Sequence, residues 1–171
     1  MADEKKSRTA GWRSYAVNLL LFVAVVAGVR VWQQRDMTGG IHPPLQGMTL
    51  AGQPYLLSEH PAQPVLVHFW ASWCQICRTE QGAISAIAHD HPNMVSIAMQ
   101  SGGQAEVLRH MRERGIDFPV LNDPQGNIAR AWGVHGVPAS FIISPDGKVR
   151  FVEVGYTTGI GIRLRLWLAG I

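Results

Sequence analysis

Phe69-Trp70-Ala71-Ser72-Trp73-Cys74-Gln75-Ile76-Cys77-Arg78 carries the only two cysteines of this 171-residue chain, three positions apart. It follows Val65–Trp70, a compact apolar run fit for a strand covered on both faces. It opens a helix expected over Gln75–His89, where Ile76, Ala83, Ile84, Ile87 and Ala88 recur as an apolar stripe. A thiol at the start of a helix meets free backbone amides and the positive end of the helix dipole. Both favour a thiolate on Cys74, lowering its pKa from ~8.5 into the ~3.5–7.5 range. Cys77 lies one turn further in, less exposed and near enough to attack a mixed disulfide on Cys74. That spacing allows attack by one thiolate followed by release by the second. The competing readings are half of a zinc site and a pair of inert core thiols. Two cysteines alone are too few to close a structural zinc site.

Outward from this stretch the pattern is α/β. Met94–Met99 reads as a second buried strand, Gln104–Arg114 as a helix and Phe118–Leu121 as a short strand. A turn is expected through Asn122-Asp123-Pro124-Gln125-Gly126, then one or two helical turns over Asn127–Trp132. Ser140–Ser144 and Lys148–Val154 read as a hairpin about Pro145-Asp146-Gly147, and a last helix runs from Gly159 to Leu168. Strands alternating with helices and ending in a hairpin imply a central mixed sheet covered on both faces.

A second signal stands about sixty residues after the cysteines, in Gly136-Val137-Pro138-Ala139-Ser140-Phe141. A proline entering a strand cannot donate to the sheet, so it marks an edge or a special bond. A cis peptide before Pro138 would turn the Val137 backbone toward the cysteines. An extended substrate could then pair with that backbone as an added strand. An ordinary edge proline is the alternative.

Together these residues resemble the thioredoxin superfamily, in particular its membrane-tethered, extracytoplasmic branch of TlpA-like proteins and cytochrome c maturation thioredoxins. Within that branch the chain is most similar to the suppressor-of-copper-sensitivity protein D group. The similarity lies in Phe69–Cys77, Ser101-Gly102, Phe118-Pro119-Val120 with Asn122-Asp123, and the tail from Gly155-Tyr156-Thr157 to Arg165-Leu166-Trp167. The resemblance implies a thioredoxin-like fold over 45–171, a central mixed β-sheet flanked by helices. It implies Cys74 and Cys77 as a catalytic pair that forms the redox disulfide, a cis Pro138, and substrate contacts at Trp73, Val137 and Pro138. It implies no cofactor and no bound metal. The partners it implies are proteins carrying cysteines or disulfides, and a transmembrane electron donor of the DsbD type.

Two positions, His68 and Gly82, depart from the family pattern, while Glu80 stands where cytochrome c maturation relatives also carry a glutamate. Many thioredoxins carry a buried acid six residues before the first cysteine; here that position is His68. His68 alternates with Val67 and Phe69 and shares its face with Leu66 and Trp70, so it is a candidate base for the Cys77 proton. Glu80, three residues after Cys77, is the rival base, or simply a first-turn acid favoured by the helix dipole. Gly82 replaces a proline that often kinks this helix.

Ahead of the domain, residues 1–13 are polar and basic, and Ser14–Val29 is an apolar run interrupted by Asn18 and closed by Arg30. That is short against the ~20 residues that span a bilayer. Trp12 and Trp32 can lengthen it as interface anchors, while Arg13 and Arg30 snorkel outward. The expected organisation is a cytoplasmic N-terminus over 1–13, a transmembrane helix over 14–32, a Gly- and Pro-containing linker over 33–44, and the domain over 45–171. A cleaved signal peptide is the alternative for the apolar run. Four basic residues before the run place the N-terminus inside and the domain outside, in the periplasm of a bacterium with an inner membrane.

The net charge of +3 is small, part of it flanks the apolar run, and no aromatic–basic cluster suggests a nucleic-acid partner. The sequence therefore predicts a protein disulfide oxidoreductase, reductase-leaning because Gln75-Ile76 adds no charge to stabilise the Cys74 thiolate. The setting expected is copper tolerance or cytochrome c maturation. The alternative from another class is a thioredoxin-fold copper-binding chaperone without redox turnover, drawing on His135 or the His89–His91 pair.

Overall fold

A computed structural model describes residues 15–25, 28 and 40–171, and the chain divides into two units, Met1–Arg35 and Asp36–Ile171. In the first unit, residues 15–25 are helical and expose Leu19, Leu20, Leu21 and Phe22. Most of the expected anchor's flanks, all of residues 1–13, and residues 33–39 lie outside the described residues. Among the described residues no helix is long and apolar enough to cross a membrane.

The second unit is built on a six-stranded sheet. Its strands are β1 (Gly40–Ile41), β4 (Val65–Trp70), β5 (Met94–Met99), β6 (Val120–Asp123), β7 (Ala139–Ile143) and β8 (Lys148–Val154). Their order is β1-β8-β7-β4-β5-β6. β4, β5 and β6 run parallel, while β7, β8 and β1 pair antiparallel, so the sheet is mixed. β2 (Gln46–Met48) and β3 (Pro54–Leu56) form a separate two-stranded ribbon. The helices are α1 (Gln75–Asp90), α2 (Gln104–Arg114), α3 (Asn127–Ala131) and α4 (Gly159–Ala169).

All six residues of β4 are buried because both faces of the sheet are covered. Leu66 and Trp70 point into one core with Ile84 and Ile87 of α1, Val107 of α2 and Ile162 of α4. Val65, Val67 and Phe69 point into the other, with Leu45, Leu57, Ala129 and Trp132. Phe69, Phe141 and Trp132 meet there at 5.1–5.8 Å between ring centres, two of the three pairs edge-on. Such geometry adds about 0.5–1.5 kcal/mol per pair beyond burial.

Three expectations are corrected. Of the linker expected over 33–44, Gly40 and Ile41 belong to the sheet, since β1 pairs with β8. A two-residue strand has no readable period, yet it covers the edge that β8 would expose. His42 just after it is buried, its ring stacked on Trp132 at 6.3 Å. Gly147 tightens the adjacent hairpin at φ +76°, and a Cβ there would lie 2.0 Å from the Glu59 carbonyl oxygen. β6 starts at Val120 and absorbs Asn122 and Asp123, which were expected in a turn. Asp123 belongs there because its carboxylate accepts from the backbone amides of Asn127 (2.7 Å) and Ala129 (2.9 Å), capping α3. On α1 the buried face is Cys77, Glu80, Ile84 and Ile87, so Ile76, counted in the apolar stripe, is exposed. The β2–β3 ribbon was not anticipated.

Candidate functional site

The fully buried β4 ends at Trp70 and hands the chain through Ala71–Trp73 to the first turn of α1. Cys74 is the N-cap of that helix, and its Sγ accepts a hydrogen bond from the Cys77 amide at 3.0 Å. Cys74 and Cys77 form a disulfide. The loop is held from two sides. The Ser72 amide donates to Ser101 Oγ (2.9 Å), and Arg78 donates to the Ser72 carbonyl (3.1 Å). Trp73 is exposed but tethered, its Nε1 donating to the Gln100 carbonyl at 3.0 Å. Gln100 holds that carbonyl in place at φ +46°, a strained position for a non-glycine residue.

The Val137–Pro138 peptide bond is cis, at the entry to β7. The Val137 carbonyl oxygen lies 3.6 Å from Cys74 Sγ. β7 is clamped between β4 and β8, with Phe69 opposite Ala139, so the sheet itself brings this turn to the end of β4 where the cysteines sit. Cys74, Cys77, Val137 and Pro138 therefore converge, with Trp73 alongside, although Val137 and Cys74 are 63 residues apart.

His68 and Glu80 lie behind the pair, both almost fully buried. His68 Nδ1 is 3.0 Å from Ser140 Oγ, and its Nε2 is 3.8 Å from Glu80 Oε1. Glu80 Oε2 accepts from the Thr157 amide at 3.1 Å, tying α1 to the loop after β8. Burial pushes the Glu80 carboxyl up to about 7, against the opposing hydrogen bond from the Thr157 amide. Burial also lowers the His68 ring to about 4. Near neutral pH the imidazole is therefore neutral and Glu80 is close to its midpoint. Glu80 is thus not the solvated first-turn carboxylate that the helix dipole alone would explain. Ser140 and Thr157, which complete this buried chain, were missed in the sequence. Both reach the site across strand pairings or long loops, and neither spacing nor periodicity marks them.

The histidines considered for copper do not gather. His89 contacts Asp90 at 3.2 Å at the end of α1, and His91 Nε2 lies 2.8 Å from the Pro64 carbonyl. Among the described residues no three His, Cys, Asp or Glu side chains form a metal-binding group.

A disulfide at a helix N-terminus beside a cis-proline turn, on a mixed sheet of this order, defines the thiol–disulfide oxidoreductase class of thioredoxin-like proteins. The chain belongs to the AhpC/TSA family, whose pattern matches residues 39–152. It is similar to a thioredoxin-like protein of Haemophilus influenzae, 34% identical over 125 residues, which are 73% of this chain and 72% of that one. It is also similar to the thiol:disulfide interchange protein DsbE of Allochromatium vinosum, 35% identical over 94 residues. That alignment covers 54% of this chain and 52% of the relative, so the match spans about half of the DsbE protein. A crystal structure of a thioredoxin-family thiol:disulfide interchange protein from Chlorobium tepidum superposes with a TM-score of 0.67 and 26% identity. The superposition covers 78% of this chain and 98% of that one.

Proposed function

We propose that this protein exchanges disulfides with protein cysteines outside the bacterial cytoplasm, with Cys74 as the attacking thiol and Cys77 as the resolving thiol. The observation that carries the assignment is the position of Cys74: N-cap of α1, with its sulfur facing the Val137 carbonyl before cis Pro138. In the reduced protein the α1 amides stabilise a Cys74 thiolate. An incoming disulfide lies across Val137 and Pro138 and pairs with backbone there as an added strand. Cys74 attacks one of its sulfurs, the other leaves, and Cys77 then displaces the substrate from Cys74. Trp73 and Ile76 are exposed beside the pair and offer apolar surface to the substrate chain.

Cys77 must lose its proton before it attacks. Glu80 is the group whose affinity for a proton suits that exchange near neutral pH, while neutral His68 stands between the carboxyl and Ser140.

The direction proposed is reduction. The charge-neutral Gln75-Ile76 pair separates the cysteines, so thiolate stabilisation rests on the helix N-terminus. A reductant in an oxidising compartment needs electrons from across the membrane, which a DsbD-type donor would supply. The helical and apolar residues 15–25 support a single-pass inner-membrane anchor over 14–32 with the domain in the periplasm. Copper tolerance or cytochrome c maturation is the setting that this combination suits. The test is insulin reduction by the full chain in detergent, beside measurement of its reduction potential. Turnover with a potential near ~−270 mV fits a reductant, and one near ~−120 mV would reverse the direction. Copper binding without insulin reduction would favour the chaperone reading instead.

A further inference from the structure

Beneath Cys77 lies a cavity of about 10 Å³, lined by His68, Trp70, Arg78, Gln81 and His110 among others. That volume is at the lower limit for one water, and the lining offers it several polar partners. On the surface beside it is an open groove of about 300 Å³, lined by Ser72, Trp73, Glu106, Arg109 and Glu113. Among the described residues only His110 lines both. Its half-buried ring stacks on Trp70 at 5.6 Å and 26°, which fixes the ring at the edge of both spaces.

We propose that His110 carries the Cys77 proton from the cavity beneath Cys77 to the surface groove during the resolving step. The inference rests on the reading of Cys77 as the resolving thiol. In that step the Cys77 S–H gives its proton to Glu80, and a cavity water and the His110 ring carry a proton on to solvent. The Cys77 thiolate then attacks Cys74 Sγ, the Cys74–substrate S–S bond breaks, and the Cys74–Cys77 bond forms. The substrate sulfur leaves as a thiolate and takes a proton from solvent. Two electrons pass from the cysteine pair to the substrate disulfide, and His110 releases its proton to the groove.

The surroundings suit a ring that accepts and releases. Facing it are Glu106, Arg109, Glu113 and Arg114 from its own helix, Arg78 and Cys77 from α1, and His68 from β4. Partial burial, then the charges of Arg114 and Arg78, hold the ring below its ordinary pKa. The neutral ring is therefore free to accept. Glu80 lies outside the cavity lining. It sets where the step titrates, whereas His110 sets how fast the proton equilibrates with solvent.

The experiment is stopped-flow reaction of the reduced full chain with a chromogenic aromatic disulfide. The first release of chromophore reports attack by Cys74, and the second reports resolution by Cys77. His110→Phe keeps the stack on Trp70 but removes the proton carrier. It should leave the first phase unchanged and slow the second by ~10²-fold near neutral pH, the lower end of what a general base is worth. The pH midpoint of the second phase should stay where Glu80 puts it, and in His110→Ala, which vacates the ring's place, added imidazole should restore the rate. An unchanged second phase in His110→Phe, or a slowed one in His110→Ala that imidazole does not restore, overturns the role of His110. Cys77→Ser separates the two ideas: if its second phase persists, the resolving role of Cys77 is wrong whatever His110 does.

Discussion

The buried pair His68–Glu80 makes opposite demands on the pH dependence of stability. Glu80 moves from an ordinary 4.5 to about 7, and His68 from 6.5 to about 4. At ~1.4 kcal/mol for each tenfold change in proton affinity, both displacements come to ~3 kcal/mol. Between pH 4.5 and 7 folded Glu80 holds a proton that the unfolded carboxyl has lost, so stability falls as pH rises. Between pH 4 and 6.5 the unfolded imidazole holds a proton that folded His68 does not, so stability rises with pH. Where the two windows overlap, the contributions nearly cancel. Isosteric replacement of either partner should unmask the other. In urea denaturation of the disulfide form, in which the cysteines do not titrate, Glu80→Gln should gain ~3 kcal/mol relative to wild type from pH 4.5 to 7. His68→Gln should lose a similar ~3 kcal/mol relative to wild type from pH 4 to 6.5. Curves parallel to wild type in both variants, or displaced in the same direction, would refute the opposed burial of the two groups.

Ser140→Ala leaves His68 Nδ1 without its 3.0 Å partner and should cost ~1–3 kcal/mol by urea denaturation, with little change in insulin reduction. Asp123→Ala removes the acceptor of two α3 amides and should cost ~1–2 kcal/mol on the same assay. A chain beginning at Asp36 should match the full chain in melting temperature of the domain. One beginning at Leu45 should melt lower, because it lacks β1 and the His42–Trp132 stack.

Much of this was legible because the strongest features are local. Val65–Trp70 reads as a buried strand from six apolar or neutral residues in a row, and the structure covers it on both faces. The Cys-x-x-Cys spacing places both sulfurs on one helical turn, and a proline where a strand begins marks an unusual bond. What escaped is set by packing between distant segments. β1 and β2–β3 are too short to carry a period. Ile76 was counted as core because apolar residues at helical spacing are normally buried, whereas here Cys77 and Glu80 take that face. Glu80 looks like a surface acid until the loop at Thr157 closes over it. His110 looks like one more polar residue on an amphipathic helix, and only the stack on Trp70 reveals its place at the cavity wall.

The division of labour between Cys74 and Cys77 is tested most directly by trapping. Each single variant is expressed in cells, free thiols are blocked with acid and alkylating agent, and high-mass adducts are separated without reductant. Cys77→Ser should accumulate mixed disulfides with substrate proteins that collapse on adding reductant, because attack proceeds and release does not. Cys74→Ser should trap nothing, since it lacks the thiol at the N-terminus of α1; both cysteines are buried in the disulfide form, so helix position and not exposure separates their roles. Adducts on Cys74→Ser with none on Cys77→Ser would contradict the assignment.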